Sequence, residues 1–483
     1  MTDSSADRMV RSEIDWKKTG FLSLGLVLFC LVYWSPLWPD AVDPLGKHFA
    51  LTREGKGAIA IFLLAATWWV FEVVPIGVTS ITIGVIQALF LIREPRVAFT
   101  DFMDPSVWFI FGSIVIGMVF TKTGLTKRLA YRTLALVGER TSMIYLGCFV
   151  LTSALTLIMA HTAVAATIFP LLVAIYRLYE EGDEPTKFGK GLFMGMAYVA
   201  GAGSIVTLLG AARGAVAIGF YADITGRNIS FFELSYYMFP IGWLLVFLSW
   251  GLIMFMFRPE RSAIPGLREK ARRLYSETGA LTRDELFVAL VVLGVVVTLS
   301  LKSLIPAMAS VDKTAVVLLS TVVFFLFRIL SLKDLEQIPW NIVLLFAGAM
   351  SIGFCLWETG AAKWMAVNWL VMFQDSNWFV FVLGIAFFIM NVAAIAISLP
   401  VALVIAPCLG VAPGVVLFAA LVVAACPFLL LVGAAPNAIA YDSGQFTTAQ
   451  FFLAGIPASV VLMAVVAFAV AIVWPLMGMS VTL

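Results

Sequence analysis

Arg213 and His161 stand inside long apolar runs, where an ionisable side chain is rarely kept. Arg213 is the one basic residue of the 31 that falls outside the segments expected at the membrane surface, and His161 is one of two histidines in 483 residues. An ionisable group within a membrane is costly and by default marks a functional site. Arginine presents a planar fork suited to carboxylate, sulfonate or phosphate. Arg213 therefore reads as the counter-charge of an anionic solute, or else as a structural partner for Glu72 or for carbonyls at a broken helix. His161 can donate to an anion, or take up a proton and couple transport to the proton gradient. The plainer alternative is a neutral ring that satisfies local backbone groups. Thr162, Asn391, Asn437 and Thr207 add neutral polar side chains to the same apolar surroundings. Thr162 and Asn391 read as solute contacts, Asn437 as a contact or a helix cap, and Thr207, one turn before Gly210, as cavity lining. Gly210 and Gly433 open two Gly-Ala-Ala motifs, where free backbone groups could face the solute. Glu72, three residues before Pro75 in a Trp-rich stretch, suits a structural hydrogen bond at a span end better than a proton site. His48 falls in a loop and carries no expected role.

The elements that must position these residues are membrane helices. The chain is 62% hydrophobic and 12% charged, whereas soluble proteins sit nearer half apolar and about a quarter charged. Its apolar runs, such as 20–38, 57–92, 142–176 and 377–441, reach or exceed the roughly 20 residues that cross a bilayer. The first of them is too long for a cleavable signal and lacks a small-residue cleavage site. It is expected to be a first span with a cytoplasmic N-terminus. Basic residues favour cytoplasmic loops. An eleven-span trace puts 21 of the 31 Lys and Arg in the inside segments 1–18, 122–140, 177–190, 258–283 and 328–333. It places the C-terminus outside, and a bacterial inner membrane is the expected location. The five cysteines all lie in apolar runs without metal-ligand spacing and read as small buried side chains. A net charge of +2 with no basic tail gives no ground for a nucleic-acid partner, and no cofactor is expected. Membrane lipid and a second copy of the chain are the expected neighbours.

The longest polar stretch between spans, 258–285, divides two bundles of about five spans each. Five is odd, so consecutive bundles must be inverted relative to one another. Three matches in the same order support a repeat. Gly112, Gly117, Thr123, Gly124, Lys127 and Ala130 match Gly348, Gly353, Thr359, Gly360, Lys363 and Ala366. His161-Thr162-Ala163 with Pro170 matches Asn391-Val392-Ala393 with Pro400, and Gly210-Ala-Ala-Arg213-Gly-Ala matches Gly433-Ala-Ala-Pro436-Asn-Ala. The expected fold is an all-α polytopic membrane protein of about eleven transmembrane helices in two inverted repeats. Its parts are 1–56 (tail, first span and outer loop), 57–257 (first repeat), 258–285 (cytoplasmic linker) and 286–483 (second repeat). Repeats of this kind place the solute near the midplane, where broken helices face it. Non-helical backbone survives there only when buried or lining a cavity. The Gly-Ala-Ala pair predicts two broken helices, and His161 and Asn391 predict two re-entrant hairpin tips.

At these residues the chain resembles the divalent anion:sodium symporter family of dicarboxylate, citrate and sulfate carriers. The resemblance rests on Trp68-Trp69-x-x-Glu72-x-x-Pro75, Thr123-Gly124-Leu125-x-Lys127-Arg128 and Ile338-Pro339-Trp340. Its most specific piece is Ala434-Ala435-Pro436-Asn437-Ala438-Ile439, similar to the family's Thr-Pro-Pro-Asn-Ala-Ile. It implies eleven spans, two hairpins, a homodimeric scaffold and an elevator-like transport domain. The family has Ser-Asn-Thr at each hairpin tip; this chain has Ala160-His161-Thr162 and Met390-Asn391-Val392, and Ala212-Arg213-Gly214 replaces the first Pro-Pro-Asn stretch. Sodium needs hard oxygen ligands, and several hydroxyls are replaced by methyls and a thioether; the resemblance leaves the backbone at Gly210 and Gly433 as weak sodium-site candidates. The expected function is thus secondary transport of a small anion (a di- or tricarboxylate, sulfonate or inorganic oxyanion) by proton symport or exchange. Sodium-coupled dicarboxylate or sulfate symport is the alternative. A channel would need a continuous polar lining, whereas the polar residues here form two confined clusters. No nucleophile–base pair or metal cluster supports an enzyme.

Overall fold

In a computed structural model, the described residues are 16–42, 48–71, 73–180, 184–305, 308, 310–373, 382, 399–400, 402–429 and 434–482. Glu72, Asn391 and Gly433 lie outside them, and with Asn391 so does the second expected hairpin tip.

The described chain is almost wholly helical; its one small sheet pairs Ala41–Val42 with His48–Phe49. Helix α1 (Trp16–Trp34) packs on α2 (Arg53–Val70), followed by α3 (Ile76–Leu89) and the short α4 (Pro95–Thr100). Then come α5 (Pro105–Thr123), α6 (Leu125–Val137), α7 (Thr141–Leu155), α8 (His161–Tyr179), α9 (Lys187–Ser204), α10 (Ala212–Thr225) and α11 (Phe231–Met256). The linker carries α12 (Leu267–Glu277). The second half follows with α13 (Arg283–Leu304), α14 (Lys313–Leu326), α15 (Leu332–Glu336), α16 (Trp340–Glu358) and α17 (Ala361–Phe373). Beyond residue 399 lie α18 (Pro413–Ala425), α19 (Ala435–Tyr441) and α20 (Thr448–Phe468). Among the described residues seven helical segments are long and apolar enough to cross a membrane. Four shorter apolar helices (α3, α7, α14 and α18) accompany them. The fold is that of an all-α, multi-pass membrane protein.

Order and length recur between the halves. α5 and α16 each have 19 residues, and α6 and α17 each have 13. At both α5–α6 and α16–α17 the joint is a Thr-Gly pair with the glycine at positive φ, 85° at Gly124 and 77° at Gly360. A left-handed residue there turns the chain and ends the helix, and glycine alone takes it without strain from a Cβ. Helix starts are marked by side-chain caps: Thr52, Asp104, Thr186, Ser230, Thr282, Asp312 and Thr447 each accept from a first-turn N–H.

The linker is fastened to the first half. Arg128 on α6 donates to both carboxylate oxygens of Glu285 at 3.0 Å and to the carbonyls of Thr278, Gly279 and Ala280. α12 packs along α6. Glu260 accepts from the N–H groups of Lys187 and Phe188, which caps α9 from outside the helix. Three cysteines, Cys148, Cys355 and Cys426, are buried as expected, whereas Cys30 is exposed on α1.

Candidate functional site

α7 and α8 form a helical hairpin whose tip, 156–160, lies against the break between α9 and α10. The break, 205–211, takes the chain out of helix just before the Gly-Ala-Ala motif. Gly210 sits so tightly that a Cβ would come within 2.5 Å of the Thr156 carbonyl oxygen and 2.7 Å of the Ser204 carbonyl oxygen. Its own carbonyl accepts from the His161 backbone N–H at 2.9 Å and faces the ring Nδ1 at 3.2 Å. That contact assigns the proton of a neutral ring to Nδ1. Thr207 Oγ1 donates to the Leu157 carbonyl at 2.8 Å. The hairpin tip and the broken helix are thus joined by three hydrogen bonds.

The second half has the matching break. α18 ends at Ala425, residues 426–429 and 434 are not helical, and α19 begins at Ala435. Asn437 is 3% exposed, and its amide donates to the Pro427 carbonyl at 2.9 Å. α19 packs against both α8 and α9, and α10 packs against α18, so the two breaks meet inside one block.

A cavity of about 860 Å³ opens beside this block. Its inner wall carries Ala160, His161, Thr162 and Leu209 from the first half and Ala434 and Ala438 from the second. The first turn of α8 has no side-chain cap; the Gly210 carbonyl takes the His161 N–H, and the other first-turn N–H groups belong to cavity-lining residues beside Thr162, at a helix N-terminus suited to an anion. The outer part is bordered by Lys122 and Asp334, paired at 2.6 Å. Hydrogen bonds from Lys122 and Ser331 hold the Asp334 carboxyl down at about 2.

The expected site residues therefore divide. His161 and Thr162 line the cavity. Arg213 does not: it is 2% exposed and turned the other way, donating to Ser204 Oγ at 2.6 Å and to the Ala424 carbonyl at 3.4 Å. Thr207 and Asn437 are bonded to backbone beside the cavity and are not part of its wall. The Gly210 carbonyl, a weak sodium candidate, already faces two His161 nitrogens. Lys122 and Asp334 were missed, because in the sequence they are ordinary loop charges; only Lys122's place one residue before the repeated Thr-Gly pair hinted at more. Among the described residues no group of His, Cys, Asp and Glu could hold a metal ion.

Paired helix breaks that meet beside a hairpin-lined cavity, in a multi-pass helical protein, define a secondary transporter. Residues 42–480 match the profile of the family described as sodium:sulfate symporter transmembrane region, and the chain belongs to that family. It is 25% identical over 464 residues to the sodium-dependent dicarboxylate transporter SdcS of Staphylococcus saprophyticus, covering 89% of each chain. Against the protein of the same name from Staphylococcus aureus it is 25% identical over 432 residues, covering 84% of this chain and 83% of that one. Among solved structures it is similar to one titled "Structure and Function of Neisseria gonorrhoeae MtrF Illuminates a Class of Antimetabolite Efflux Pumps". That match has a TM-score of 0.53 and 14% identity over 94% of this chain and 93% of the other, a likeness of fold alone.

Proposed function

We propose that the protein is a secondary active symporter that moves a small dianion, a dicarboxylate or sulfate, together with sodium. The observation that carries this reading is the cavity. Its inner wall joins the uncapped start of α8, with His161 and Thr162, to the 434–438 segment of the other half. Helix N-termini favour anions there, and the relatives are named as sodium-dependent dicarboxylate transporters.

Sodium coupling replaces proton symport or exchange as the leading reading because of those relatives. The proton reading keeps one supporting observation, the placement of His161 on the cavity wall. Thr162 and, from the sequence, Asn391 are the proposed solute contacts, with Asn437 holding the second break in shape. The hairpin, α9–α10 and α18–α19 pack on one another, and we take this block as the part that slides, elevator-fashion, within a homodimeric scaffold. The N-terminus is assigned to the cytoplasm.

Uptake of radiolabelled succinate and sulfate into proteoliposomes tests the reading. The expected result is saturable uptake that collapses when sodium is replaced by choline. Uptake driven by an inward proton gradient in the absence of sodium would overturn the coupling; conduction far above carrier turnover would overturn the carrier.

A further inference from the structure

The two half-helices that precede the breaks end at the same place. Gly201, in the last turn of α9, lies directly against the Ala425 carbonyl at the end of α18. Each helix C-terminus carries unsatisfied carbonyls and roughly half a unit of negative charge. Two such ends in contact suit one monovalent cation, and half-helix C-termini with unwound carbonyls are where coupling ions bind in repeat-built transporters.

The charge found there is the chain's own. Arg213 belongs to the first turn of α10, beyond the break, and its side chain reaches back across the break to both helix ends. One terminal nitrogen donates to Ser204 Oγ at 2.6 Å, at the last residue of α9. The Ser204 hydroxyl in turn donates to the Gly201 carbonyl at 2.7 Å, so its oxygen is oriented to accept. The other terminal nitrogen points to the Ala424 carbonyl at 3.4 Å, in the last turn of α18. The group is 2% exposed, and none of the described residues forms a salt bridge with it. A buried charge without a counter-charge is expensive; the negative ends of two helices are what offsets it here. In the other half the matching position is Pro436, which carries no charge.

We infer that the Arg213 guanidinium is a tethered cation, standing in for one mobile sodium ion where α9 and α18 end. This deepens the proposed function and rests on it for the word coupling. Its consequence is that the carrier moves one sodium ion fewer per solute than it would with a neutral residue at this position.

The test compares wild type, Arg213→Ser and Arg213→Lys as purified full-length proteins. In Arg213→Ser the vacated helix ends should take sodium. Its melting temperature should rise more than that of wild type when choline is replaced by sodium chloride, since a ligand bound only to the folded state stabilises it. In proteoliposomes its ratio of radioactive sodium to succinate should be higher by one, and Arg213→Lys should keep the wild-type values. No added sodium response in Arg213→Ser would overturn the inference. So would a loss of succinate binding that sodium does not restore and lysine does, because Arg213 would then be an anion ligand. If Arg213→Ser accumulates only when extracted in sodium, the inference is supported; if it accumulates in neither salt, it is overturned. A sodium-independent wild type would remove the proposed coupling, yet Arg213→Ser should still gain its sodium response, so the two failures are distinguishable.

Discussion

His161 presents two donors to a single acceptor: its backbone N–H and its ring Nδ1 both face the Gly210 carbonyl, at 2.9 and 3.2 Å. The tip of the hairpin and the break in the α9–α10 helix are thereby one unit. Replacing His161 with alanine removes the ring contact and keeps the backbone one. The expected cost is about 1 kcal/mol, read from denaturant unfolding in detergent, and it should be accompanied by a higher KM for the transported anion. An unchanged stability would place the ring contact outside the forces that hold the tip.

Two neighbouring glycines should respond with opposite sign. A Cβ on Gly210 would meet three backbone atoms of Thr156 and Ser204 within 2.9 Å, whereas on Gly214 the nearest atom is Leu208 Cδ2 at 3.4 Å. Backbone cannot move aside as a side chain can, so Gly210→Ala should cost about 1–3 kcal/mol or more and lower the yield of monodisperse protein. Gly214→Ala, inside α10, should stabilise by about 0.5–1 kcal/mol through helix propensity. Fluorescence-detected size-exclusion after a heating series compares the two directly.

The Arg128–Glu285 pair should matter for assembly and not for the solute. Its side chains are 10% and 4% exposed, and Glu285→Ala leaves a buried guanidinium without its carboxylate. Such a break costs about 3 kcal/mol. The melting temperature should fall while the KM of the folded fraction stays at the wild-type value. A changed KM with unchanged melting would contradict the assignment.

The Lys122–Asp334 pair at the cavity sets a pH dependence. The Asp334 carboxyl is held at about 2 by its hydrogen bonds to Lys122 and Ser331, below the ordinary carboxylate value of about 3.9. A depressed carboxyl contributes stability that is fully present above the ordinary value and is lost as pH falls through the depressed one. The melting difference between wild type and Asp334→Asn should thus be constant from neutral pH down to about 5 and shrink as pH approaches 2. A difference that grew on acidification would contradict the pairing.

Much of the architecture was legible from spacing. The Thr123-Gly124 and Thr359-Gly360 pairs do end equivalent helices at left-handed glycines, because a turn of that kind writes itself into the local sequence. The break before Arg213 was legible from the repeated Gly-Ala-Ala motif. The direction of the Arg213 side chain was not. It depends on α18, more than 200 residues away, ending beside α9, and no local pattern encodes that meeting. Thr207 was placed on the cavity wall by helical spacing, but residues 205–211 are not helical, so the spacing rule failed where the helix did. Asn437 donates to the Pro427 carbonyl and does not cap α19, whose start has no side-chain cap; its contact with the solute stays a sequence-based reading. Asn391, Glu72 and Gly433 fall outside the described residues and keep their sequence-based readings.

The grip of Arg128 on the linker bears on how a chain of two halves is joined. The side chain holds the carbonyls of Thr278, Gly279 and Ala280 on one side of Leu281 and the carboxylate of Glu285 on the other. The peptide bonds around Leu281 therefore duplicate a fastening that already exists without them. Two separate polypeptides parted at Leu281 would retain a common clasp, so a cut there should leave the two halves able to find each other through Arg128 and Glu285.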